Sequence, residues 1–162
     1  MDKKKVLTCI LEKLTDDLNT YFRAASMARF EATDSENKAE NKYDTRGIEA
    51  SYLAHGQSRQ AIQTKKDYDA YEAMLKNLDA DARPHESVRK GTLVTLEFNG
   101  EMTYYFIGPA SGGLEVVVDG EEITVMTPDS PLGASLLNKM AGDSVEIKLP
   151  SGNNIYQITQ VS

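Results

Sequence analysis

The chain has few side chains that are suited to nucleophilic, acid–base or metal chemistry. Cys9 is the single cysteine, and His55 and His85 are the two histidines, in 162 residues. Neither an internal disulfide nor a Cys/His metal-ligand set can be formed from them. The sequence also contains no glycine-rich phosphate loop, no dinucleotide fingerprint and no serine nucleophile elbow. These residues therefore offer little from which the active site of a stand-alone enzyme could be formed.

Each of these three residues has a simple structural interpretation. Cys9 stands at an apolar position of a predicted helix, which indicates a small buried hydrophobe. His55 falls on or near the apolar stripe of a second predicted helix, which indicates a partly buried or boundary position. His85 follows Pro84 and is expected to be a solvated linker residue.

The charge of the chain is concentrated in its second half. Residues 1–90 carry 16 basic and 16 acidic side chains, whereas residues 91–162 carry two lysines against nine carboxylates, which is the whole net charge of −7. Nucleic-acid binding depends on neutralising phosphates, so this half is expected to approach DNA or RNA only through a partner protein. No apolar run approaches the roughly 18 residues of a membrane span, so we expect a cytoplasmic protein with no membrane partner.

The first half of the chain has the periodicity of two long helices. Apolar residues recur there at steps of three and four. The first stripe comprises Val6, Ile10, Leu14, Leu18, Tyr21 or Phe22, Ala25 and Ala28, and the second comprises Ile48, Tyr52, His55, Ile62, Tyr68 or Tyr71, Leu75 and Leu78. Between them, residues 33–42 hold no apolar residue larger than alanine, which predicts a turn. We predict an antiparallel helical hairpin, a coiled coil, over residues 1–83 with its tip near 33–45.

After Pro84 the pattern changes to short alternating strands that are separated by turn residues. The predicted strands cover residues 92–98, 102–107, 114–118, 122–126, 144–149 and 155–161. Asn99-Gly100 is a strong hairpin signal, and Ser130-Pro131 is typical of a helix N-terminus. The pattern predicts an α+β domain over residues 84–162, in which one short helix packs on a small antiparallel β-sheet.

Residues 123–152 contain an ordered series of features that resembles a known protein family. A strand is followed by Ser130-Pro131, a helix of small residues and leucines, Lys139, Gly142-Asp143, an alternating strand and Pro150-Ser151-Gly152. Gly-Asp suits the turn between helix and strand, and Pro-x-Gly suits a hairpin. Placed behind a helical hairpin, this series is similar to the C-terminal domain of the bacterial GreA/GreB transcript-cleavage factors. The resemblance implies an FKBP-like fold for this domain.

The resemblance also implies a partner. In that family the C-terminal domain binds RNA polymerase at the rim of its secondary channel, and the hairpin reaches down the channel toward the active site. The polymerase itself then cleaves backtracked RNA, so the factor is not an enzyme and meets nascent RNA only indirectly. We also expect the factor to be a monomer. Asp129, Ser130 and Pro131 correspond to the loop that contacts the polymerase. A simple helix cap explains these residues equally well, and the two interpretations are compatible.

Acidic residues at the hairpin tip help, in that family, to hold a catalytic Mg²⁺ ion and a water. Carboxylate oxygens are the hard ligands that Mg²⁺ takes. The ion would be shared with the polymerase, and the chain would hold no metal or cofactor of its own. The family pattern Asp-x-x-Glu-Asn-Ala-Glu-Tyr has its nearest counterpart at residues 44–52, where Thr45 and Ile48 stand in the places of the two key acids.

Other carboxylates lie close to these positions in the sequence. They are Asp34, Glu36, Glu40, Asp44 and Glu49. We take Asp44 and Glu49 as the first candidates to assist cleavage, followed by Glu36 and Glu40, which would share one face of a helix. The alternative is that these acids are only the charges of a solvated turn.

Three functions are compatible with these observations. The first is a polymerase-bound factor that stimulates RNA cleavage. The second, which the missing tip acids suggest, is a non-cleaving regulator or inhibitor in the same channel. The third is a stand-alone prolyl isomerase, which would need an aromatic-lined pocket. Its candidate residues are Phe98, Tyr104, Tyr105, Phe106 and Tyr156, which are more easily explained as core and sheet-surface residues.

Overall fold

The computed structural model describes residues 2–33, 46–78, 86–149 and 152–162. Its elements, in chain order, are α1 (Lys3–Thr33), α2 (Arg46–Lys76), β1 (Leu93–Phe98), β2 (Glu101–Ile107), β3 (Glu115–Val118), β4 (Glu121–Met126), α3 (Pro131–Leu136), β5 (Ser144–Leu149) and β6 (Gly152–Val161). This order confirms an α+β fold in which two long helices precede a small sheet domain with one short helix.

The helices α1 and α2 run antiparallel to each other. Arg29 Nη2 donates to Ser58 Oγ at 3.4 Å, and Ala32 of α1 borders the same surface depression as Ser51 and Ala54 of α2. Residues late in α1 therefore lie beside residues early in α2. This arrangement confirms the predicted helical hairpin.

Most buried positions of both helices follow the heptad spacing of a coiled coil. In α1 this seam includes Leu7, Leu11, Leu14, Ala25 and Ala28, and in α2 it includes Ala50, Ala54, Ala61, Thr64 and Tyr71. Val6 and Ile10 are also fully buried and lie beside the seam of α1. Steps of four and three residues, and their sums, keep such positions on one seam when two helices supercoil. The coiled-coil prediction is therefore confirmed.

The apolar stripe predicted for α2 is wrong over its first half. Ile48, Tyr52 and Ile62 are 58%, 75% and 59% exposed, and His55 is exposed as well. The seam instead follows alanines, because small side chains at the contact allow two helix backbones to approach closely. Packing geometry, and not the hydrophobicity of individual residues, selects the buried face.

The structure corrects one further prediction for a single residue and decides one that was left open between two residues. Cys9 is half-buried in α1 and not fully buried as its apolar position indicated. Phe22 is 59% exposed, so the half-buried Tyr21 occupies the neighbouring position that faces the seam. His85, predicted to be a solvated linker residue, lies outside the described residues.

Gly56 provides a test of helix propensity in α2. It lies inside α2, and apart from the helix's own backbone no atom lies within 4 Å of the position that a Cβ would take. Because glycine costs about 0.5–1 kcal/mol relative to alanine in a helix interior, Gly56→Ala should raise the free energy of unfolding by that amount. Urea denaturation measures the change, and a decrease would show that this glycine is needed for packing.

The six strands form one sheet in the order β3-β4-β2-β1-β6-β5. The sheet is mixed and not wholly antiparallel as predicted, because β2 and β4 pair in parallel, with Tyr104 opposite Ile123 and Ile107 opposite Met126. After β2 the chain forms the short edge strand β3 and turns back into β4. β4 then lies beside β2 and runs in the same direction as β2. Alternation of apolar and polar residues encodes the face of a strand but not its direction.

Two tight turns connect neighbouring strands of the sheet. Asn99 and Gly100 have φ angles of 54° and 85°, and Asp119 and Gly120 have φ angles of 54° and 91°. Positive φ at both central residues defines a type I′ hairpin turn, which favours Asn-Gly and Asp-Gly. The hairpin predicted at Asn99-Gly100 is confirmed.

The core of the sheet domain lies between α3 and one face of the sheet. Its buried members are Val88, Val94, Leu96, Ile107, Met126, Leu136, Val145 and Ile158. Tyr105, Leu132 and Tyr156 pack against this cluster and are only partly buried. The short helix predicted after Ser130 is thus held in place by Leu136, which is fully buried.

The chain divides into two compact units. The first comprises Met1–Glu12 and Asp69–Ser162, and the second comprises Lys13–Tyr68. We call the helical ends that belong to the first unit, Lys3–Glu12 and Asp69–Lys76, the hairpin root. The predicted domain boundary between residues 83 and 84 lies outside the described residues and stays a prediction. None of the described helices is long and apolar enough to cross a membrane.

Candidate partner-binding site

The loop before α3 is built around the side chain of Ser130. Its Oγ accepts a hydrogen bond from Gly133 N at 3.0 Å and donates one to Thr127 O at 2.9 Å. Ser130 has an extended backbone, with φ −71° and ψ 151°, and Pro131 takes the first helical position. The predicted helix cap is therefore confirmed, and the hydroxyl of Ser130 is engaged inside the loop.

The two residues that flank Ser130 face the solvent. Asp129 and Pro131 are exposed, whereas Ser130 is half-buried. The cap thus fixes a short rigid turn that presents one carboxylate and one apolar ring. Such a turn can meet a protein surface without first losing conformational freedom, which lowers the cost of association.

The structure describes only one of the four candidate tip carboxylates. Glu49 lies in the first turn of α2 and is exposed, whereas Glu36, Glu40 and Asp44 lie outside the described residues. Ile48, in the same turn, is 58% exposed. Across the described part of the chain, no group of three or more Asp, Glu, His or Cys side chains could hold a metal ion. Glu49 can offer Mg²⁺ one carboxylate, which is too few ligands for a site of its own.

The aromatic residues of the sheet domain do not converge on one pocket. Phe98 and Tyr156 have ring centroids 4.9 Å apart, and burial, followed by the nearby Tyr156, raises the pKa of Tyr105. Tyr104 and Phe106 are the neighbours of Tyr105 along β2 and therefore point to the opposite face. The aromatic-lined pocket that a prolyl isomerase would need is not formed by these five side chains.

A second important group, at the hairpin root, was not predicted from the sequence. Tyr71 is fully buried, its hydroxyl donates to Ala110 O at 2.7 Å, and its ring centroid lies 6.4 Å from that of Phe106. Periodicity named Tyr68 or Tyr71 as a stripe residue. Nothing in the sequence linked Tyr71 to residues 106–110, because the contact spans 39 residues of chain.

An ion pair adds a second contact at the hairpin root. Lys5 Nζ lies 2.8 Å from Asp119 Oδ1 in the β3–β4 turn. The hydrogen bond that Lys5 donates to Asp119, supported by the charge of that carboxylate, raises the pKa of Lys5. Both side chains are more than half exposed, and such surface pairs contribute little to stability. The buried Tyr71 is therefore the stronger contact.

These features define a protein class, in which an antiparallel coiled coil precedes a mixed-sheet domain with a capped, solvent-facing loop. Residues 83–162 match the family model described as transcription elongation factor GreA/GreB, C-terminal. A relative named transcription elongation factor GreA, from Cereibacter sphaeroides, is 30% identical over 116 residues, covering 69% of each chain. The chain therefore belongs to the GreA/GreB family of transcription elongation factors.

The similarity also extends over the helical hairpin. A protein named transcription elongation factor GreA from Rhodospirillum rubrum is 29% identical over 148 residues, which covers 90% of this chain and 83% of that protein. Among solved structures, the chain is similar to the crystal structure of GreA factor homolog 1 of Thermus thermophilus. That match has 19% sequence identity, 94% coverage of each chain and a TM-score of 0.35.

Proposed function

We propose that this elongation factor binds RNA polymerase, that its hairpin enters the secondary channel, and that it stimulates cleavage of backtracked RNA by the polymerase active site. The observation that carries the proposal is the capped loop Asp129–Pro131 within the segment that matches the family model. The factor itself is not the catalyst, and we expect it to work as a monomer in the cytoplasm.

The charge distribution supports a protein partner for the sheet domain. Residues 91–162 carry a net charge of −7, and a surface of that sign repels the phosphates of DNA and RNA. It attracts basic protein surfaces and speeds the encounter with them. Nascent RNA would therefore be reached only through the polymerase.

The cleavage step would depend on carboxylates near the predicted tip. Glu49 and Asp44 are the first candidates, and Glu40 and Glu36 are the second. Mg²⁺, when held jointly by the factor and the polymerase, supplies charge neutralisation at the attacked phosphate. The carboxylates of the predicted tip would add oxygen ligands to those of the polymerase.

A charge reversal in the loop tests the docking proposal. Asp129→Lys should weaken binding to purified bacterial RNA polymerase about tenfold, or about 1.4 kcal/mol, because it places a like charge against a basic partner surface. Glu101→Lys is the matched control, since Glu101 is also exposed, on β2. Titration with a fluorescently labelled factor measures both affinities. Equal affinities for the two variants would argue against docking through Asp129.

A second candidate function rests on one specific observation. Ile48 is exposed in the first turn of α2, at a place where the resemblance sets a key acid, and an isoleucine cannot bind Mg²⁺. The chain would then occupy the channel without assisting cleavage and would compete with cleavage factors. Stalled elongation complexes distinguish the two functions. Stimulated shortening of the RNA supports the first, and binding without shortening supports the second.

A further inference from the structure

One short segment connects the hairpin root with the capped loop. On the root side, the hydroxyl of the buried Tyr71 donates to Ala110 O at 2.7 Å. Gly108 lies so close to this hydroxyl that a Cβ at residue 108 would overlap it. The segment from Gly108 to Gly113, which we call the bridge segment, therefore contacts the tyrosine at Gly108 and Ala110.

The other side of the bridge segment is bonded to the end of β4. Gly108 N donates to Met126 O at 2.9 Å, and Gly113 N donates to Val125 O at 2.8 Å. A Cβ on Gly112 would stand 3.3 Å from the side chain of Thr127. A displacement of the bridge segment would therefore displace residues 125–127.

The capped loop is in turn hydrogen-bonded to Thr127. Its carbonyl oxygen accepts hydrogen bonds from Ser130 N at 3.1 Å and from Ser130 Oγ at 2.9 Å. Gly133 lies directly against the same carbonyl, with no room for a Cβ. The contacts thus run without a gap from Tyr71, through the bridge segment and Thr127, to Ser130.

We propose that Tyr71 is a positioning residue that couples the capped loop to the hairpin root. The proposal rests on the proposed function in one respect, that residues 129–131 are where polymerase binds. A partner that holds this loop would hold Thr127 and the bridge segment, and with them the end of α2. Coupling of this kind is reciprocal, so loosening either end should loosen the other. Because Tyr71 is buried, it would not contact the polymerase itself.

Amide hydrogen exchange in the free protein tests the coupling without polymerase. Tyr71→Phe keeps the ring and removes the hydroxyl, and we expect about tenfold faster exchange at Gly113, Ser130 and Gly133. Ser130→Ala should likewise accelerate exchange in residues 71–76 of α2. Tyr104→Phe is the matched control, since it removes the hydroxyl of a half-buried tyrosine on β2.

The pattern of exchange decides the result. Faster exchange confined to the bridge segment, the capped loop and the end of α2 supports the proposal. Unchanged exchange at Ser130 and Gly133 overturns it. Equal acceleration at Ile158 N, which donates to Asp143 O in another part of the sheet domain, also overturns it, because it shows only a loss of global stability.

A second measurement separates this inference from the proposed function. With stalled elongation complexes, Tyr71→Phe should bind polymerase within about twofold of the wild-type affinity. Its effect on cleavage should fall at least fivefold, because the docked loop no longer holds the end of α2. Equal losses of binding and effect would overturn a positioning role. Failure of the wild-type chain to bind polymerase would overturn the proposed function, while the exchange experiment would still decide the coupling.

Discussion

Replacing both Asp44 and Glu49 with alanine should reduce stimulated RNA cleavage about a hundredfold while the affinity for polymerase stays unchanged. Removal of a group that stabilises charge in a transition state typically costs two to three orders of magnitude in rate. The proposed docking residues Asp129–Pro131 are untouched by this change, so binding should persist. Cleavage of backtracked RNA in stalled elongation complexes, at saturating factor, measures the rate.

The control for this experiment removes the same charge elsewhere on the hairpin. Glu12 and Asp16 are exposed on α1, and the variant Glu12→Ala/Asp16→Ala should cleave as the wild-type chain does. If both double variants lose activity equally, general charge and not tip chemistry controls the rate. If neither does, Glu36 and Glu40 become the next residues to replace. A wild-type chain that binds but never stimulates cleavage would favour the non-cleaving regulator.

Gly133→Ala should lower the free energy of unfolding by about 3 kcal/mol, at the upper end of the usual cost of overpacking. Gly133 is buried in α3, and a Cβ there would collide with the carbonyl of Thr127 and lie 2.7 Å from Ser130 Oγ. A backbone carbonyl cannot move aside as the end of a flexible side chain can. The variant should therefore also lose the cap that shapes the capped loop. Urea denaturation of the purified chain measures the loss.

The same substitution in α2 provides the comparison. Gly56→Ala adds the same methyl group, but no neighbour beyond its own helix lies within 4 Å, so the two variants should differ in the sign of their effect. Their difference isolates the close packing at Gly133 from the general helix propensity of alanine. Equal stabilisation by both would show that the capped loop relaxes without cost.

Much of the sheet domain could be predicted because its signals are local. The turn at Asn99-Gly100 requires positive φ angles, which few residue pairs adopt. Ser130-Pro131 combines a capping side chain with the fixed φ of a proline at the first helical position. The direction of β4 could not be predicted, since strand alternation is the same in parallel and antiparallel pairs. It depends on how the chain crosses from β2 to the edge strand β3 before it turns into β4, which is a property of the whole domain.

In the candidate site, too, local features could be predicted from the sequence and distant contacts could not. The capped loop was found because its residues are adjacent in the sequence. The role of Tyr71 was missed because its partners lie at residues 106–110, and a stripe pattern reports burial without naming what covers the side chain. Ile48 and Tyr52 were wrongly assigned to the buried face because a spacing of three and four residues fits two faces of α2. Only the distance between the two helices decides which of these faces is buried.

The pairing of β1 has a consequence for the order of assembly during synthesis. β1 lies between β2 and β6, and Thr159 Oγ1 bonds to Thr95 O across 64 residues of chain. Segments of low sequence separation form quickly, whereas distant pairings must wait for loop closure. We expect the helical pair and the β1–β2 hairpin to form while the chain is still emerging from the ribosome. The sheet would be completed only after β6 is made.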